Sequence, residues 1–294
     1  MAALDIRSRG KRCGRTEAVR DVSLLWMHDE QVGELNPRLP FPWLAFLLGV
    51  LSACRGIDTR PVAPPPVRSS LLDDTATTTA RGFELELGLF SDPDDRFESS
   101  GTLKWGATER FEVFAAWFPF LVSFPTGEDL QGHGNAELGV RHRFVDETEG
   151  RPGILGGLNI VFPLGEDDVR AHDGPAFGTT FTLTKSLAGI GFNPTWSVLF
   201  QEDSDGSGVD VAHTFGILAS APVREHWFAF LEVAGFLVPS DDIEELLVQA
   251  GAGWLPSPLF AWDFGLLVGH GDDAPDLAFT TGFTWTPTRD GGGG

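Results

Sequence analysis

Between Gly82 and Phe118 the chain reads GFELELGLFSDPDDRFESSGTLKWGATERFEVFAAWF, with apolar and polar residues changing places step by step. Phe83, Leu85, Leu87 and Leu89 alternate with Glu84, Glu86 and Gly88. Successive side chains of a strand point to opposite faces, so a period of two fits a half-buried strand and not a helix. After SDPDD and then GATE the alternation resumes, with Phe111, Val113, Ala115 and Trp117 on one face. Three strands joined by two tight turns are the unit that any fold of this chain must accommodate.

The unit recurs to the C-terminus. Strands are predicted near residues 82–90, 96–106, 109–118, 134–145, 153–163, 175–185, 188–200, 208–220, 226–238, 243–255, 258–268 and 276–286. Most are long enough to cross a bilayer at a tilt, and their number, twelve, is even. A chain of 294 residues with 36 Gly and 24 Phe suits many short strands and turns. Tyr is absent, so the 9 Trp and the Phe must take the interfacial positions.

The connections carry a topology. Odd-numbered ones (91–95, 118–134, 163–174, 202–208, 239–242 and 270–276) all hold acidic residues, mostly clustered, and several are long. Even-numbered ones (107–109, 146–153, 186–189, 221–226 and 255–258) are generally shorter and less acidic. Short turns at one end and longer loops at the other are expected of an up-and-down barrel whose ends meet different solvents.

The two faces of the strands point the same way. One carries Phe83, Leu85, Phe111, Val113, Leu138, Leu158, Trp262, Phe264 and Phe279; the other carries Glu84, Glu86, Glu112, Glu137, Arg141, Arg143, Asp210, Glu232 and Asp263, with many Gly. Periodicity alone would also allow a secreted β-sandwich. Trp105, Trp117, Trp227, Trp254 and Trp285 at strand ends supply candidate interfacial girdles and favour a membrane-spanning all-β barrel of about twelve antiparallel strands. In that fold the apolar face meets outer-membrane lipid, and the nine charged residues are candidate lumen groups. They line a solute pore or form a salt-bridged plug, and the sequence leaves both open.

The region before the strands reads as export machinery. Residues 41–53, FPWLAFLLGVLSA, are too short to span a bilayer as a helix and match the core of a secretion signal. The block ends in Leu51-Ser52-Ala53-Cys54, a lipobox-like run that makes Cys54 a lipidation candidate. The expected division is 1–54 extension and signal, 55–81 Pro/Thr-rich periplasmic linker, 82–287 barrel and 288–294 Gly-rich tail.

Other chemistry is sparse. A net charge of −21 excludes nucleic acid as a partner. Cys13 and Cys54 both precede the strands, so the barrel has no disulfide and no thiolate metal site. Seven His show no metal-ligand spacing and no firm Ser-His pairing, so neither a metal, a cofactor nor a catalytic residue is expected. A membrane hydrolase is the least favoured reading.

The runs FESSGTLKWGATERFEV at 97–113, ELGVRHRF at 137–144, VFPLG at 161–165 and LTKSL at 183–187 resemble the transporter-like outer-membrane barrels of the MetA pathway of phenol degradation family. The likeness covers about residues 82–286. It implies a bacterial outer-membrane channel for small molecules, hydrophobic or aromatic ones among them, and supplies no catalytic residues. His142 stands where that family commonly has an aromatic, and Pro163-Leu164-Gly165 where Pro-Thr-Gly is common. A non-transporting structural or surface-interaction barrel is the alternative.

Overall fold

The computed structural model describes residues 72, 74–93, 96–123, 130–166, 174–202, 208–239, 243–271 and 274–287. Cys54, the signal and the Gly-rich tail lie outside them, as do the centres of most acidic loops. The strands are β1 (Phe83–Asp92), β2 (Arg96–Thr108), β3 (Phe111–Ser123), β4 (Leu130–Gly132), β5 (Ala136–Val145), β6 (Gly153–Phe162) and β7 (Ala176–Leu187). They continue as β8 (Ile190–Glu202), β9 (Val209–Arg224), β10 (Trp227–Val238), β11 (Ile243–Ser257), β12 (Phe260–His270) and β13 (Ala278–Trp285).

All pairings are antiparallel, and β1 pairs with β13, so the meander shuts on itself. Twelve strands form the wall. The thirteenth, β4, adds only Leu130–Gly132 to the upper end of β3. The structure thus puts strand where the sequence predicts the long loop 118–134: β3 runs on to Ser123 and folds back through β4. The reason is legible in residues 118–123, FPFLVS, whose β-branched and aromatic content favours extended backbone even beside Pro119.

Local chemistry sets the turns. Leu187 and Ile190 face each other across Ala188 (φ 52°) and Gly189 (φ 83°), two consecutive left-handed residues. That is the type I′ geometry whose twist matches the flanking strands. At about 3.4 Å per residue and a tilt of ~40°, the 12 residues of β7 rise about 30 Å, enough to cross a hydrocarbon core.

The faces separate as the period of two predicts. Leu138, Phe144, Leu158, Phe181, Phe215, Trp262 and Phe279 are exposed, Leu158 by 64%, whereas the alternate residues are buried or half-buried. The aromatic distribution is asymmetric along the barrel. Trp105, Trp227, Trp254, Trp262 and Trp285 gather at the end holding the short turns, and Trp227 stacks on its cross-strand partner Trp254. Phe177 and Phe200, a cross-strand pair, sit at the opposite end. Trp117 falls between the ends, opposite Gly101 and Ala136.

Several large rings are seated over glycines on the neighbouring strand. A Cβ on Gly253 would meet the Phe228 ring at 2.0 Å, one on Gly251 the Phe230 ring at 2.3 Å, and one on Gly139 the Phe114 ring at 2.3 Å. Each glycine removes a side chain so that an aromatic can lie flat against the wall inside the barrel.

Candidate functional site: the barrel interior

The antiparallel register brings the inward charges into contact. Glu84 lies opposite Lys104 on β2, and Glu112 on β3 opposite Arg141 on β5. Lys104 Nζ donates to Glu84 Oε1 at 3.1 Å and to Glu86 Oε1 at 2.8 Å. Arg141 donates to Glu112 Oε1 through Nε at 2.9 Å, and its Nη2 is 2.8 Å from the same oxygen. The Arg141 guanidinium also rests 5.3 Å over the Phe114 ring. Glu112 is 1% exposed, so this pair sits in a low-dielectric setting where its hydrogen bonds are strong and removing one partner is costly.

The other predicted lumen residues spread over the interior. Glu137 is buried opposite Ala116 and Val161, Glu232 opposite Leu218 and Gln249, and Asp263 opposite Gly253 and Gly282. Asp210 is buried near the far end of β9, opposite Gln201. Arg143 belongs to the rim instead. Its Nη2 donates to the Glu109 carbonyl at 2.6 Å and its Nε is 3.1 Å from Asp146 Oδ1, which draws the β2–β3 turn and the β5–β6 connection together. Arg110 pairs with the same Asp146.

Three features escape the sequence reading. The first is basic: Lys104 and Arg96 are buried inward, and Arg96 lies 4.9 Å over the Phe90 ring. Strand parity was the available signal, because Lys104 adjoins outward-facing Trp105. The second is apolar. Val161, Ala176, Leu199, Ala212, Phe236 and Val238 form one inward cluster at the end of the long loops, and Phe90, Leu247, Leu267 and Ala278 form another. In these strand ends both faces are apolar, as in 197–200 SVLF and 235–238 GFLV, so alternation fades.

The third is a crossing segment. Residues 74–82, with Leu72 beyond them, run inside the wall at the end of the short turns. Ala80 forms a parallel bridge with Gly106 on β2, and Arg81 N donates to the Gly106 carbonyl. Thr78 gives both its N–H (2.7 Å) and its Oγ1 (2.6 Å) to Glu112 Oε2 on β3. Thr75 N donates to Thr184 Oγ1 on β7 at 3.0 Å, and Thr184 Oγ1 in turn donates to Asn193 Oδ1 at 2.7 Å. Leu72, 7% exposed, packs with Leu218, Phe228, Phe230 and Ala234 on β9 and β10. Gly106 and Gly216 make the room: a Cβ on either would meet the segment at 2.2 Å (Thr79 O) and 2.8 Å (Leu72 Cδ1).

The described histidines lie elsewhere. His142 and His213 touch outward aromatics, Phe144 at 4.7 Å and Trp196 at 6.2 Å, and His133 Nδ1 lies 3.0 Å from Glu166 Oε1 on the surface. Among the described residues no three His, Cys, Asp or Glu side chains are grouped so as to hold a metal.

A single sheet closed into a ring, apolar outside and charged within, is an outer-membrane-type β-barrel, the one architecture in which strands cross a bilayer without exposing an edge. By sequence, no family model and no curated protein matches this chain. By structure, it is similar to an outer-membrane channel from Pseudomonas putida F1, with a TM-score of 0.59 and 11% identity over 77% of this chain and 100% of that one. It is also similar to the KdgM porin, with a TM-score of 0.50 and 5% identity over 69% of this chain and 98% of the porin. At these identities the likeness is one of fold.

Proposed function

We propose that this chain is a channel of the bacterial outer membrane that passes small molecules and catalyses no reaction. The observation that carries the reading is the closed twelve-strand wall with charged residues buried along its interior, since a barrel built only for rigidity can fill its interior with apolar side chains. The inward apolar clusters around Phe236 and Phe90 at the long-loop end support solutes with an apolar or aromatic part, as does the resemblance to the MetA-pathway family. Export by the 41–53 block, with lipidation of Cys54 as a possible second tether, belongs to the same reading.

The deciding measurement is conductance of the purified protein in planar bilayers, together with entry of small phenols and of small sugars into proteoliposomes. Unit conductance steps and entry of the phenols are expected. Protein that inserts in its heat-modifiable folded form yet never conducts or admits solute sinks the channel reading. The second reading, a non-transporting structural barrel, is favoured by the Lys104 and Arg141 ion pairs and by the segment crossing the interior. It is abandoned if conductance appears.

A further inference from the structure

The segment that crosses the interior is built differently from everything around it. Counting round the ring, five strands separate β2 from β9 in either direction, so a chain that starts on Gly106 and reaches Leu218 goes from one wall to the opposite one. On the way it passes along the β3–β7 side, touching Glu112, Gly153 and Thr184. It enters no ladder beyond the single bridge at Ala80. Ala76 N bonds Asp74 Oδ1 within the segment itself, and Thr77 Oγ1 donates to the Glu109 carbonyl. The wall closes without it through β1–β13 and β1–β2. At its base Arg81 adopts φ 62°, a left-handed conformation that a non-glycine residue takes only where the chain must turn sharply, here between the segment and β1.

We infer that residues 74–80, with Leu72, form an internal gate across the periplasmic mouth, pivoting at Arg81 and latched by Thr78 on Glu112. This rests on the channel reading above and deepens it. The latch suits release. Oε1 of Glu112 stays bound to Arg141 when Thr78 leaves Oε2, so opening exposes half of a carboxylate and never strands a buried charge. Other holds include hydrogen bonds from Thr75 and Thr77 and the seat of Leu72 among apolar side chains. Each is weak alone and lies apart from the ladder, so they can be exchanged for water without disturbing the wall.

The test uses the full chain in planar bilayers with Cys54→Ser as background. A Cβ on Gly153 would lie 2.8 Å from Thr75 Oγ1, within the reach of a disulfide. Thr75→Cys with Gly153→Cys therefore ties the segment to β6 under oxidising conditions and frees it on reduction. The oxidised protein is expected to hold a low-conductance state, and reduction to raise mean conductance severalfold. Deleting residues 72–80 is expected to give the high state permanently, with heat-modifiable gel mobility retained. Equal conductance of the oxidised, reduced and deleted forms, all of them conducting, overturns the gate and leaves the channel. Silence of every form overturns both, and the segment is then a brace.

Discussion

Glu112 is the residue on which most of the interior converges, because one carboxylate oxygen takes Arg141 and the other takes Thr78. Replacing it by Ala removes the carboxylate to which the buried Arg141 donates beside Phe114, and breaking a buried ion pair costs about 3–5 kcal/mol in proteins. Glu112→Ala is therefore expected to lower the urea concentration at which the heat-modifiable band is lost. Glu112→Gln, which keeps one oxygen acceptor and turns an NH2 donor toward the other neighbour, should fall between it and the parent. A parent-like midpoint for Glu112→Ala refutes the pairing. The sequence made this residue visible as an inward carboxylate, since parity decides the face. It left the partners hidden, because Arg141 meets Glu112 only when β3 is set in register with β5 across the β4 excursion, and Thr78 belongs to a stretch without any period.

At the scale of elements, glycine and aromatic residues on adjacent strands act as one packed unit. Phe228 and Gly253 face each other on β10 and β11, as do Phe230 and Gly251. Gly253→Ala would place a methyl group 2.0 Å from the Phe228 ring, and overpacking of this kind costs roughly 1–3 kcal/mol. A lower thermal unfolding midpoint is expected, with recovery when Phe228→Leu is added, and failure of the second change to rescue the first would place the cost elsewhere. Strand spans and the direction of each face could be read in the sequence because period-two patterning is local. Ring-on-glycine pairs could not, because they depend on the register of residues about 25 positions apart. The small extent of β4 escaped for the same reason: three residues form a strand only because β3 presents an edge to them.

For the whole molecule, the decisive distinction is what touches the apolar outer face. Leu158 sits at mid-strand on β6, pointing away from the interior. If lipid covers it, Leu158→Arg should cost about 2–4 kcal/mol in vesicles, whereas on a water-facing surface the same change would move stability by about 0.5 kcal/mol or less. Folding titrations of the two proteins in vesicles read this difference directly. Twelve strands and the apolar outer face were legible because each repeats along the chain. The inward apolar layer at the long-loop end was not, because both faces of those strand ends carry the same kind of residue.

The seam between β1 and β13 also sets an order of events. Thr286 Oγ1 reaches Glu84 Oε2 across 202 positions of chain, and Trp285 stands opposite Leu85. The first strand made is thus the last to find its second neighbour, and every intermediate that lacks Trp285 carries two raw hydrogen-bonding edges. A ribosome product that stops short of β13 has no partial barrel to settle into. The chain must be kept from aggregating until β13 arrives, and a nonsense codon anywhere before β13 should leave protein fit only for proteolysis.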